Sequence, residues 1–342
     1  DYSLVQGGYV GTRNINVNPL FVSQASAVAA PTIAGDYQLQ KCSPALNAGR
    51  NGYLPAGILR DVIYNPRVNY GTVEMGAYEM QLQFAVPNGS GIVYVDNTKS
   101  GNGNSWANAV PELANALIAA KYNSSITQIW ISKGTYKPIY NPEDSTALDC
   151  NATDRNIAFS LVSGVKVYGG FAGGETLLSQ RNVSANTVTL SGDIGAVGVT
   201  TDNCYHVVIS SGNNGITLLD GVSISSGNAN ASVAVPVITV NANLINPKYG
   251  GGLYKVSSAT DITDCTIRRN EAVLSGGGIY EFSSSSSAHY SNCTITQNIS
   301  AGDGGGLHIT LSGSVFENCT ISSNDASGDG AGMYLSGSGA PS

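Results

Sequence analysis

From Gly250 onward the chain repeats itself. Gly250-Gly-Gly-Leu-Tyr254 returns as Gly276-Gly-Gly-Ile-Tyr280, as Gly304-Gly-Gly-Leu-His308 and as Gly330-Ala-Gly-Met-Tyr334, at steps of 26, 28 and 26 residues. A second block keeps phase with the first: Asp264-Cys-Thr-Ile-Arg-Arg-Asn270, Asn292-Cys-Thr-Ile-Thr-Gln-Asn298 and Asn318-Cys-Thr-Ile-Ser-Ser-Asn324. A fixed period of this length means a stacked array in which each unit packs mainly on its neighbours. No unit carries a helical stretch of 3.6-residue periodicity or the density of leucine that leucine-rich repeats need. Short alternating runs broken by Gly, Ser and Asn fit one coil of a parallel β-helix, with coils stacked about 4.8 Å apart. That geometry puts Cys265, Cys293 and Cys319 in one inward column and Ile267, Ile295 and Ile321 in the next, two residues on. Asn270, Asn298 and Asn324 are expected at the following corner in left-handed torsions, their amides forming a ladder. The glycine triplets mark a tight corner that a β-carbon would obstruct.

Composition agrees. Charged residues are 11% of the chain, against about 25% in an average soluble domain. There are 42 glycines, and the net charge is −7 with no Lys/Arg cluster. A surface built from Ser, Thr, Asn and Gly suits a turn-rich β protein, since helix surfaces favour Glu, Lys, Gln and Arg. The acidic balance argues against nucleic acid and against a polybasic membrane patch, and no apolar run is long enough for a transmembrane segment.

These repeats resemble those of polymorphic outer-membrane-protein-like surface β-helices, which pair a Gly-Gly-Ala-Ile type motif with Phe-x-x-Asn. Here Ile replaces Phe, and Gly replaces Ala except at Ala331. Upstream, Gly91-Ile-Val-Tyr-Val-Asp96 alternates as a strand. Trp106, Val110, Leu113, Leu117 and Ile118 fall near helical spacing, and Ile129-Trp-Ile131 reads as a strand running into Lys133-Gly-Thr-Tyr136. A short helix beside the first strand is the usual cover for an open solenoid end. This stretch resembles the start of secreted bacterial right-handed parallel β-helix proteins. Residues 1–80 differ: Ser43-Pro-Ala-Leu-Asn-Ala-Gly49 and Gly76-Ala-Tyr-Glu79 resemble the closing segment of the same class, the choice-of-anchor domain. The expected organisation is a closing segment over 1–80 and a linker over 81–90. A cap and first coils follow over 91–249, then regular coils over 250–342. That order implies a window cut from a longer polypeptide with tandem β-helices; the alternative is one domain whose first segment caps its own last coil.

No motif commits the chain to chemistry. Arg268 and Arg269 have Thr296-Gln297 and Ser322-Ser323 as coil counterparts, so the basic pair is not a column, and Asp261 and Asp264 beside it read as a solvated mixed-charge spot. Polygalacturonase-type Asn-Thr-Asp, Asp-Asp and Gly-His-Gly motifs are missing. Asp303 and Asp329, each before a glycine corner, leave Ca²⁺ open as a ligand. Asp96 with Asn97, Asn102 and Asn104 lacks the Glu of an EF-hand loop, and the sequon Asn151-Ala-Thr153 is expected from composition alone. No cofactor, metal or catalytic residue is assigned. Cys150 and Cys204 lie in polar loops and are candidates for a disulfide in an oxidising compartment, while Cys42 reads as a buried free thiol. The resulting expectation is a non-enzymatic extracellular or cell-surface structural or adhesive protein. Its partners would be copies of itself, flanking domains of its own polypeptide, or surface glycans. The alternative is a polysaccharide-active enzyme or glycan-binding β-helix, which a column of acidic or aromatic residues on one outer face would favour; no such column is seen in the sequence.

Overall fold

The computed structural model describes residues 1–29, 31–40, 42–69, 72–81, 84–143, 153–283 and 288–337. The chain divides into two compact units, one formed by Asp1–Gln83 with Glu143–Asn151, the other by Phe84–Pro142 with Ala152–Ser342.

The second unit is a right-handed parallel β-helix. Its first sheet has seven strands: Ile92–Val95, Gln128–Ser132, Lys166–Phe171, Leu218–Asp220, Asp261–Thr263, His289–Ser291 and Val315–Glu317. A second sheet stacks six, from Gly134–Tyr136 through Val188–Ser191, Val222–Ser225, Thr266–Arg268 and Thr294–Thr296 to Thr320–Ser322. The third stacks Phe159–Ser160, Val208–Ser211, Leu253–Val256, Ile279–Phe282, Leu307–Thr310 and Met333–Ser336. Within each sheet, chain-order neighbours pair in parallel, so one coil visits the three sheets in turn and the next coil lies on top of it; in the later coils a short fourth sheet, Asn228–Ala229, Glu271–Ala272, Ile299–Ser300 and Asp325–Ala326, comes between the second and third.

The columns follow from that register. Tyr136, Leu190, Ile224, Ile267, Ile295 and Ile321 are successive partners in the second sheet. All but Ile321 are buried, and Ile321, in the last described coil, is half-buried. Cys265 and Cys293 are each 1% exposed, and Cys319 is half-buried. Each thiol donates to a carbonyl one coil below: Cys265 to Leu219, Cys293 to Ile262 and Cys319 to Tyr290. Burial pushes the Cys293 thiol up to about 12, so it stays protonated and unreactive.

The Asn ladder forms inside the wall. Asn270 and Asn298 are fully buried. Nδ2 of Asn270 donates to Oδ1 of Asn298 at 3.0 Å, and Asn298 repeats the bond to Asn324 at 3.0 Å. The left-handed torsion belongs to the residue before each Asn: Arg269, Gln297 and Ser323 have φ of 54°, 58° and 55°. At the glycine corner, Gly276 has φ 68°, and a Cβ on Gly277 would lie 2.2 Å from the carbonyl oxygen of Ile299. Gly277→Ala should therefore destabilise the solenoid by about 1–3 kcal/mol, because backbone and not a flexible side chain would have to yield. Ala331, at the same motif position, supplies the control. Ala331→Gly should shift a chemical-denaturation midpoint far less, and equal shifts for the two would refute the crowding argument.

The helix Leu113–Tyr122 buries Leu113, Ala114, Ala116, Leu117, Ala119 and Ala120. Trp106 lies outside it, in an aromatic cluster with Tyr94, Trp130 and Phe171, where the Trp130 and Phe171 rings stack at 4.6 Å. Residues 84–90, expected as part of a linker, belong to the second unit: Ala85 is buried and Val86 N–H donates to Asn102 O at 2.7 Å.

The first unit pairs Phe21–Ser23 with Asp36–Leu39 in an antiparallel ribbon. Its core is Leu39, Ala45 and Leu46, packed by Leu4, Phe21, Met75 and Met80. Ala45 and Leu46 come from the Ser-Pro-Ala-Leu-Asn-Ala-Gly motif, so that motif is structural. Cys42 is disulfide-bonded, which corrects the reading of a free thiol. Cys204 is a free, fully buried thiol, so the candidate bond between Cys150 and Cys204 is not made; Cys150 itself lies outside the described residues.

Candidate functional site

Charged side chains gather at the corner between the first and second sheets. Gly221 turns that corner with φ 74°, and its counterparts in later coils are Asp264, Asn292 and Asn318 at φ 49°, 55° and 54°. Asp and Asn tolerate this torsion better than other residues carrying a β-carbon, which accounts for the Asp264 backbone. Arg181 enters from the loop after the 3-10 turn Leu178–Gln180. Its guanidinium grips Asp220 through both nitrogens, Nη1 to Oδ1 at 2.6 Å and Nη2 to Oδ2 at 2.8 Å. It also lies over the Tyr168 ring at 5.3 Å and reaches Asp264 at 3.9 Å. Gly221 makes room for it, since a Cβ there would sit 3.0 Å from Arg181 Nη1. Asp264 is the accessible carboxylate, with 38% side-chain exposure against 7% for Asp220, and it accepts from Asn292 Nδ2 at 3.1 Å.

Arg181, Asp264 and Asn292 line a groove of about 640 Å³ walled also by Val183, Thr187, Ser223 and Thr266, with Asp220 behind Arg181. Burial raises the Asp220 pKa, with Arg181 acting in the opposite direction. A guanidinium has five N–H donors. Fixed by Asp220, it is a rigid fork for a carboxylate or carbonyl oxygen, and the exposed Asp264 beside it can take a proton.

The outer face of the third sheet carries an aromatic column. Tyr254, Tyr280, His308 and Tyr334 are register partners, with successive ring centroids 5.2, 5.4 and 4.9 Å apart. Tyr249 packs against Tyr280 with ring centroids 4.6 Å apart and planes tilted by 36°. Tyr254 is covered by the hairpin Ile238–Val240 and Asn243–Ile245, whereas Tyr280, His308 and Tyr334 are half-buried. This outward aromatic column corrects the reading that the sequence holds none. It occupies the fifth position of the glycine motif.

Of the other residues raised by the sequence, Asp261 accepts from the His289 backbone at 2.8 Å, and Asp303 accepts from the Asp329 backbone at 2.8 Å. Asp96 caps its own turn through Thr98. Arg268 is half-buried on the outer side of its strand, and Arg269 reaches Gln297 in the next coil. Among the described residues, no group of three His, Cys, Asp or Glu side chains is placed to hold a metal ion, and no helix is long and apolar enough to cross a membrane.

No family model matches the chain, and no curated protein matches it. Among solved structures, the chain is similar to the pectin methylesterase of Aspergillus niger in deglycosylated form, with 16% identity and a TM-score of 0.34 over 76% of this chain. The chain spans 62% of the length of that protein. The expectation that the chain is not an enzyme is withdrawn, the protein in this comparison being a pectin methylesterase. The missing polygalacturonase motifs exclude only that one chemistry.

Proposed function

We propose that the chain is an extracellular β-helix module that acts on a polysaccharide bearing carboxyl or ester groups, at the Arg181–Asp220–Asp264 groove. The observation that carries this reading is the division of labour between two carboxylates on one guanidinium. Asp220, buried, locks Arg181 in place, and Asp264, exposed, faces the groove as a base. Arg181 receives a uronate carboxylate or an ester carbonyl, holding the sugar so that Asp264 meets the reacting proton or activates a water. The open groove suits a chain substrate that runs across coils. The Cys42 disulfide and the charge-poor surface support an oxidising, extracellular setting.

The test is incubation with methyl-esterified pectin, de-esterified pectin and alginate, reading released methanol, new reducing ends and unsaturated uronate absorbance. Turnover of at least one substrate is expected. Asp264→Asn should lower kcat by about 10²–10⁴-fold, the usual worth of a positioned acid or base. Arg181→Lys should raise KM by losing the bidentate fork. Absence of all three products with the wild-type protein would overturn the reading, as would Asp264→Asn at full activity.

A further inference from the structure

Inside the β-helix, Lys255 and Glu281 are both fully buried and face each other across adjacent coils, as register partners 26 residues apart. Lys255 Nζ lies 3.3 Å from Glu281 Oε2. Tyr290, also fully buried, donates its hydroxyl to the same Oε2 at 2.6 Å, and its ring faces Nζ at 4.9 Å. The hydroxyls of Ser312 and Ser314 donate to the other oxygen, Oε1. An ammonium has three donors, yet among the described residues Glu281 is the only hydrogen-bond acceptor Lys255 reaches. Burial draws the Lys255 pKa below its ordinary value, with Glu281 opposing. A charged pair in such a place costs more in lost hydration than an uncharged filling of the same volume.

We propose that Lys255 and Glu281 condense into an isopeptide bond that staples two consecutive coils from within. The bond that forms joins Lys255 Nζ to Glu281 Cδ; the bond that breaks joins Cδ to Oε2. The ammonium gives up two protons and Oε2 takes both, leaving as water, so the ion pair becomes a neutral secondary amide with no other reactant. Tyr290 is placed to relay a proton to Oε2 as it departs. The Ser312 and Ser314 hydroxyls are placed to hold the negative charge that develops on Oε1 when the amine adds. The packed interior keeps bulk water from reversing the step. The product carries one N–H and one C=O in place of two charges, and Oε1 keeps its serine donors.

The experiment is the intact mass of the full-length chain, denatured and with disulfides reduced, followed by proteolysis and fragment sequencing. The expected mass is one water below that of the sequence, with a branched peptide joining the segments that hold Lys255 and Glu281. Lys255→Met should restore the full sequence mass for its own composition and yield only linear peptides. If that variant does not fold, the wild-type mass still decides. A wild-type chain at full sequence mass, with Lys255 recovered in a linear peptide, overturns the proposal.

Discussion

Replacing Ile295 by alanine is expected to cost the solenoid about 2–5 kcal/mol, the range for deleting a large aliphatic side chain from a packed interior. Ile295 is 0% exposed and lies in register between Ile267 and Ile321. Coils above and below therefore limit collapse of the cavity. Ile321→Ala should cost clearly less, because Ile321 is half-buried and part of its lost contact area is already solvated. Chemical denaturation of both variants gives the comparison, with the midpoint moving and the slope holding if the cost is in the native state. Because stacked repeats are coupled to nearest neighbours, hydrogen exchange should show the Ile295→Ala loss centred on the strands that hold Ile267, Ile295 and Ile321. Equal costs at the two positions would mean that the column is not the continuous interior described here.

The Ile and Cys columns were legible because two simple rules agree at those positions. Side chains alternate along a strand, and coil spacing brings the same letter back. The Asn ladder was legible for the same reason, but its corner was placed one residue late. The left-handed residues are Arg269, Gln297 and Ser323. These types give no signal of that torsion, so the neighbouring Asn, which does favour it, drew the assignment. The groove could not be read in advance. Arg181 and Asp220 are 39 residues apart in the irregular early coils, where no period aligns them, and Asp264 read, with Asp261, as a solvated mixed-charge spot. The aromatic column was present in the glycine motif itself. Tyr254, Tyr280, His308 and Tyr334 each follow an inward Leu, Ile or Met and so must face out. Buried Lys255 is the harder case. Alternation from Leu253 places it inward, but the ordinary expectation for a charged residue places it outward, and only its partner Glu281, one coil on, reconciles the two.

In the first unit, stability is expected to fall as pH rises from about 5 to about 8. Glu74 and Glu79 are buried at 4% and 2% exposure. Burial pushes the carboxyl of Glu74 up to about 8, against the pull of the Met80 backbone N–H on its Oε1, and the nearby Glu79 charge adds to the rise. Burial likewise carries Glu79 up to about 7, although the Glu74 backbone N–H and the Arg67 guanidinium favour its charged form. Each has one buried oxygen without a partner, Glu74 Oε2 and Glu79 Oε1, and a proton on either acid turns an orphaned acceptor into a donor. The folded unit therefore holds protons that the unfolded chain has released. Where the native state binds more protons, stability declines with pH, by about 1.4 kcal/mol per pH unit for each extra proton held. The contribution is complete below the ordinary glutamate range and is lost as pH climbs through the folded values. With both acids protonated over most of that span, the loss between about pH 5 and pH 7 should be on the order of 5 kcal/mol. Asp61 works in the opposite direction. Burial would raise its pKa, but backbone N–H groups of Glu79, Asn65 and Ile63 outweigh that and hold it low, so its contribution disappears only as acid is added. Glu74→Gln keeps an oxygen for the Met80 N–H while removing one titration. It should flatten the decline and leave the variant more stable than the parent at about pH 8. Amide protection of Glu79 and Met80, corrected for base-catalysed exchange, reads the effect within this unit. Protection that rises with pH across the window, or a slope that Glu74→Gln leaves unchanged, would show that the two acids do not hold buried protons.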